Sequence, residues 1–176
     1  MKPTVSSSCS HFNLLGLPTT YDVSLPEIDA AYKQLQKRLH PDLHHRSPDT
    51  AALASAYSTR INMACDVLSD PVLRGQHLMM ETYGTDPLSE DAGASFNDPE
   101  LLMFVMEARQ TIEDVNMDNV TELHQHHQEM MNEAVDALTE AFALGEQHQQ
   151  EQTKTLIKLQ YVSKMLIEID QLTPVM

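Results

Sequence analysis

Residues 24–42 read SLPEIDAAYKQLQKRLHPD, a helix with both of its ends written in. Ser24 and Glu27 stand three apart, the spacing of a capping box, in which the serine hydroxyl and the glutamate carboxylate each satisfy the other's free backbone N–H. Leu25, Ile28, Tyr32, Leu35 and Leu39 then recur at steps of three and four, which draws one apolar stripe along a helix. Pro41 disfavours helical geometry in the residue before it, so the helix is expected to end at His40. The proline fixes its own φ, and an imidazole and a carboxylate flank it in His40-Pro41-Asp42. A corner so constrained can hydrogen-bond to a partner surface at little ordering cost.

The grammar repeats outward from this helix. Upstream, Phe12, Leu14, Leu15 and Leu17 form an apolar cluster stopped by Gly16 and Pro18, too short to be helical alone but able to dock on a helix. Downstream, Asp42 to Ser47 is polar, and Ser47-Pro48 reads as the cap and first residue of a second helix. Leu53, Tyr57, Ile61, Cys65 and Leu68 are expected to form its buried stripe. Asp70-Pro71 opens another helix that closes near Gly84. Residues 85–98 carry acids and no base, a linker signature. Asp98-Pro99 starts a helix to about Met117, Asp118-Asn119 a long one to about Gly145, and Gln149 to Leu172 forms a last one. Long helices with short connections predict an antiparallel three-helix bundle. The expected organisation is a disordered tail over 1–10, a helical-hairpin domain over 11–84, an acidic linker over 85–98 and a bundle over 99–176. The fold class is all-α.

Composition narrows the function. The 176 residues include 11 Lys+Arg against 26 Asp+Glu, a formal net charge of −15. Nucleic acid and anionic membranes both select clustered Lys and Arg, so neither is an expected partner. No apolar run reaches ~20 residues, the length of a membrane-spanning helix. Two cysteines, Cys9 and Cys65, make neither a disulfide framework nor a four-ligand zinc site. There is no Gly-rich phosphate loop and no recognisable nucleophile–base arrangement, so no catalytic residue, cofactor or metal is expected. Against the acidic background, Tyr32 to His40 holds Lys33, Lys37 and Arg38 and no acid. Such a local field steers one particular partner.

The order of these pieces resembles the J-domain: Phe12 to Leu17, then the amphipathic helix with Tyr32, Lys33, Lys37 and Arg38, then the HPD corner, then Ile61 to Leu68 and Asp70-Pro71. The remainder is similar to the HscB family of iron–sulfur co-chaperones. Leu73-Arg74-Gly75-Gln76-His77-Leu78 with Tyr83-Gly84 resembles one motif of that family. Leu101 to Arg109 (LLMFVMEAR) resembles a second, and Lys158-Leu159-Gln160-Tyr161 a third. The resemblance implies an L-shaped molecule that bridges two proteins. An HscA-type heat-shock-70 chaperone would be engaged through His40, Pro41, Asp42 and Tyr32, with Lys33, Lys37 and Arg38 steering, and its ATPase stimulated. An IscU-type scaffold would be held by Leu102, Met103, Met106, Glu107 and Tyr161, with Gln110 and Asp114 at neighbouring positions. It further implies a monomer in the bacterial cytoplasm, the mitochondrial matrix being the alternative.

The residues of the second motif admit a physical reading of their own. Leu101, Val105, Ile112 and Val115 can line a bundle core, while Leu102, Met103 and Met106 fall on another side of the helix. A bundle helix needs one stripe only. The second patch is surplus and suits a docking site, although a broad buried stripe would give the same pattern. Other readings are a J-domain protein with a different client, a helical adaptor that accelerates no chaperone, and a metal protein using His124, His126 and His127. The last lacks ligand spacing, since 126 and 127 point to different faces; a solvated polar face is the simpler expectation.

Overall fold

The structure, a computed structural model, describes residues 10–38, 48–89, 98–113 and 120–172. The tail 1–9, Leu39 and the HPD corner at 40–42, much of the acidic linker, and Asp114 with Val115 lie outside the described residues. The described residues are helical and contain no strand. Among the described residues seven α-helices follow one another: α1 (His11–Leu15), α2 (Leu25–Arg38), α3 (Pro48–Ser69), α4 (Pro71–Tyr83), α5 (Pro99–Glu113), α6 (Val120–Ala143) and α7 (Gln149–Leu172). They form two compact units, Met1–Gly84 and Thr85–Met176.

The helix boundaries follow local chemistry. Ser24 N–H donates to Glu27 Oε2 (2.9 Å) and Glu27 N–H reaches Ser24 Oγ (3.4 Å), so the capping box forms. The Asp70 carboxylate accepts from the backbone N–H groups of Val72 and Leu73, two donors the first turn of α4 leaves free. Asp98 does the same for Glu100 and Leu101 at the start of α5. Gly84 closes α4 with φ 72°, a left-handed geometry that only glycine adopts cheaply.

In the first unit, α1 is a short plug. Phe12 and Leu15 enter a core built from Tyr21, Val23, Ile28, Ile61, Ala64, Leu68, Val72, Leu78 and Met79. Burying a side chain such as Phe12 contributes roughly 1.5–3 kcal/mol, which a five-residue helix needs because it cannot persist alone. Arg74 is buried within this apolar setting, its guanidinium carbon 4.8 Å from the Tyr21 ring centroid. Its Nη1 donates to the Leu68 carbonyl (2.9 Å).

Two of the expected stripes need correction. Leu25 is 57% exposed, because as the first residue of α2 it precedes the turn that meets the core. Ile28 is buried, and Tyr32 and Leu35 are half-buried. On α3, Leu53 is 71% and Tyr57 46% exposed, while Ile61, Ala64 and Leu68 carry the burial and Cys65 is half-buried. The register explains it. Gln36 Nε2 of α2 donates to Asn62 Oδ1 of α3 (2.8 Å). In an antiparallel pair this sets Arg38 opposite about residue 60. The first turns of α3, with Leu53 and Tyr57, therefore run past the described end of α2.

In the second unit α7 is the shared partner, packed against both α6 and α5. It supplies Leu156, Ile157, Leu159, Val162, Met165 and Ile169 to the core; α6 adds Leu138 and Ala141, and α5 adds Leu101. His124 near the start of α6 meets Asp170 near the end of α7 (3.1 Å), so these two are antiparallel. Lys154 meets Asp98 and Glu100, and Lys158 lies 6.0 Å from the Phe104 ring centroid. These contacts advance together along both helices, so α5 runs parallel to α7, giving an up-down-up arrangement. Buried Gln152 donates its Nε2 to the carbonyls of Ala141 (3.0 Å) and Gly145 (3.1 Å), satisfying acceptors that the end of α6 leaves over.

Candidate functional site: two protein-docking faces

The first face is the exposed side of α2. Lys33, Lys37 and Arg38 are exposed and Tyr32 is half-buried. The three cations are not equivalent, since Lys33 Nζ lies 2.6 Å from Asp29 Oδ2 one turn back. A charge already met by its own helix contributes less to the distant field than Lys37 does. Helix polarity adds a reason for their placement: Lys37 and Arg38 occupy the last turn, where cations oppose the negative helix end.

The second face is on α5. Leu101 is 5% exposed and faces the core, whereas Leu102 is 46%, Met103 61% and Met106 64% exposed. Val105 is half-buried. The helix thus carries two apolar sides, one spent on folding and one left to solvent. Glu107 and Gln110 are exposed beside the second. Methionine suits such a surface because its unbranched thioether adapts to different partners. Tyr161 is half-buried on α7, one turn beyond Lys158, with Lys164 Nζ 5.8 Å from its ring centroid. The sequence-expected residues Leu102, Met103, Met106, Glu107 and Gln110 therefore share one described helix, Tyr161 stands on its packing partner, and Asp114 lies outside the described residues.

A clamp that local reasoning could not find holds α5 in place. Lys154 Nζ bridges Asp98 Oδ2 and Glu100 Oε2, each at 2.8 Å. The hydrogen bond from Lys154 is the main reason the Asp98 carboxyl is held below the usual carboxylate range, and the same two acids raise the lysine. Residues 54 apart in sequence carry no periodic signal that would pair them.

The histidines are dispersed. His127 is buried with Nδ1 2.9 Å from the Leu123 carbonyl, His124 is held by Asp170, and His126 is exposed. Among the described residues no group of three or more His, Cys, Asp or Glu is placed to hold a metal ion. Nor is any described helix long and apolar enough to cross a membrane.

Comparison with known proteins fits this two-unit plan. Residues 10–77 match the DnaJ domain family model, and residues 97–170 match that of the HSCB C-terminal oligomerisation domain. The chain belongs to the HscB family of J-domain proteins.

An iron–sulfur cluster co-chaperone HscB homolog of Arabidopsis thaliana is 32% identical over 142 residues, 78% of this chain and 54% of that protein. A co-chaperone HscB homolog of Ralstonia nicotianae is 36% identical over 110 residues, 62% of this chain and 61% of the relative. The chain thus spans less than two thirds of the length of these curated relatives. Its fold is that of human co-chaperone HscB (TM-score 0.78, 22% identity, covering 94% of this chain and 83% of that one). HscB from Vibrio cholerae is similar too (TM-score 0.74, 24% identity, covering 92% and 96%).

Proposed function

We propose that this HscB-family chain is a co-chaperone of iron–sulfur cluster biogenesis. Its J-unit stimulates the ATPase of an HscA-type heat-shock-70 chaperone, and its C-terminal unit delivers an IscU-type scaffold to that chaperone. The observation that carries the reading is the solvent-facing ridge of Leu102, Met103 and Met106 beside core-facing Leu101. A family match alone would not require that second apolar side. The exposed Lys37 and Arg38, just before His40-Pro41-Asp42 in sequence, support the chaperone end.

The chemistry is equilibrium control. Docking of the HPD corner favours the partner's hydrolysing state, while the ridge keeps the scaffold within reach. One chain holding both partners turns the second encounter into an intramolecular one, which raises its effective concentration. No covalent step is assigned to this chain.

The test is ATP turnover by an HscA-type chaperone, alone and with this chain, the scaffold, or both. The full chain is expected to accelerate turnover, most strongly with scaffold present. His40→Gln is expected to abolish the acceleration while scaffold binding persists. Acceleration that survives in His40→Gln overturns the chaperone assignment.

A further inference from the structure

His11 opens α1 and His77 lies in the middle of α4, their ring centroids 4.3 Å apart and tilted by 36°. Neither belongs to the docking faces. The backbone N–H of His11 donates to His77 Nε2 at 3.2 Å, so that nitrogen must keep its lone pair. Phe12, the next residue and the centre of the α1 plug, stacks on the His77 ring at 6.0 Å. Buried Nδ1 of His11 has no hydrogen-bond partner among the described residues. Among the described residues, Glu81 and Arg60 are the charges that act on the two rings. Glu81 of α4 lies 3.8 Å from His77 Nε2 and already accepts from Ser10 Oγ (2.8 Å), and Arg60 of α3 acts on His11.

We propose that His11 and His77 form a pH-operated latch: with both rings neutral it seats α1 against α4, and on acidification it releases the α1 plug from the J-unit core. Protonating His77 at Nε2 turns its acceptor into a donor that faces the His11 N–H, so the bond joining the two helices is lost. Protonating His11 puts a second positive charge 4.3 Å away and a proton on a buried nitrogen with nothing among the described residues to receive it. Glu81 pulls the other way by favouring charged His77, but a carboxylate shared with Ser10 does not restore the lost bond.

The direction of the linkage follows. Burial, chiefly, keeps both imidazoles below the ordinary value of 6.5, and for His11 the neighbouring His77 adds to it. The unlatched chain therefore binds more protons than the latched one. The latch is fully formed above the ordinary value and weakens as pH falls below it.

The experiment is amide hydrogen exchange on the full chain, corrected for intrinsic rates, from about pH 7.5 to about pH 5.5. The opening equilibrium of the His11–Leu15 amides is expected to rise by up to about tenfold per pH unit for each proton taken up, with α6 and α7 as the internal reference. His77→Gln keeps a carbonyl acceptor for the His11 N–H but cannot titrate, so the pH sensitivity of α1 is expected to shrink to the part that His11 alone contributes. A wild-type α1 indifferent to pH, or an equal response in His77→Gln, overturns the latch. Proton NMR of the wild-type imidazoles gives a check that no variant's folding can blur. His77 is expected to titrate below the ordinary histidine value, and titration at or above it also overturns the proposal.

Discussion

Arg74 lies against the face of Tyr21, with its guanidinium carbon 4.8 Å from the ring centroid, while the Tyr21 hydroxyl donates to the Pro71 carbonyl at 3.2 Å. The arginine also donates to the Leu68 carbonyl. One buried cation thus ties the end of α3 and the start of α4 to the segment before α2. Arg74→Ala removes a desolvated cation–π contact and a charge-assisted hydrogen bond together, and should cost about 2–4 kcal/mol in urea unfolding. Arg74→Lys should recover little of this, because an ammonium cannot present a flat face to the ring and a donor to the carbonyl at once.

The same contact predicts an alkaline signature. Burial pushes the Tyr21 phenol up to about 12, with Arg74 opposing. A folded value above the unfolded 10.0 means that the stabilisation is complete below about pH 10 and is lost as pH rises towards 12. In an ultraviolet titration one of the five tyrosines should ionise late, coincident with unfolding of the J-unit, and Tyr21→Phe should remove that late step.

Adjacent substitutions on α5 should separate folding from docking. Leu101→Ala creates a cavity in the core and should cost about 2–5 kcal/mol in thermal or urea unfolding. Leu102→Ser and Met106→Ser remove solvent-facing apolar groups and should leave unfolding within about 0.5 kcal/mol of the parent. On the proposed function they should weaken scaffold binding at least tenfold, measured by calorimetry; scaffold affinity unchanged in the double variant would place the grip elsewhere.

The cations of α2 should rank by their neighbours. On the proposed function, Lys37→Ala should slow association with the chaperone, and the effect should shrink as salt is added. Lys33→Ala should do less, because Asp29 already meets that charge. Stopped-flow association rates at several ionic strengths test the order, and a larger loss from Lys33→Ala would reverse it.

Gln152 is a folding residue in a polar disguise. Gln152→Leu leaves the Ala141 and Gly145 carbonyls without their shared donor and should cost about 1–3 kcal/mol, read by far-ultraviolet circular dichroism on heating.

Helix existence, order and caps were legible because they rest on short-range rules. Ser24 with Glu27, Asp70-Pro71 and Asp98-Pro99 each name a helix start within four residues, and each is a start in the structure. The two apolar sides of α5 were also readable, since period 3.6 separates Leu101 from Leu102 and Met103. Stripe burial was less so. Leu53 and Tyr57 sit at core spacing on α3, but the Gln36–Asn62 register decides which turns meet α2, and register is a tertiary quantity. The same holds for His11 with His77 and Lys154 with Asp98. Such pairs lie far apart in sequence, and only the packed helices bring them together.

The position of α7 between α5 and α6 has a consequence for synthesis on the ribosome. The J-unit has all of its helices once Tyr83 has emerged, whereas α5 and α6 must wait with their inward sides uncovered until the 24 residues of α7 follow. For that interval both sides of α5 are greasy and wet at once, and the nascent chain presents its widest sticky surface. Early protection by cellular holdases, or slowed translation across α6, would bear on yield of this half far more than of the first.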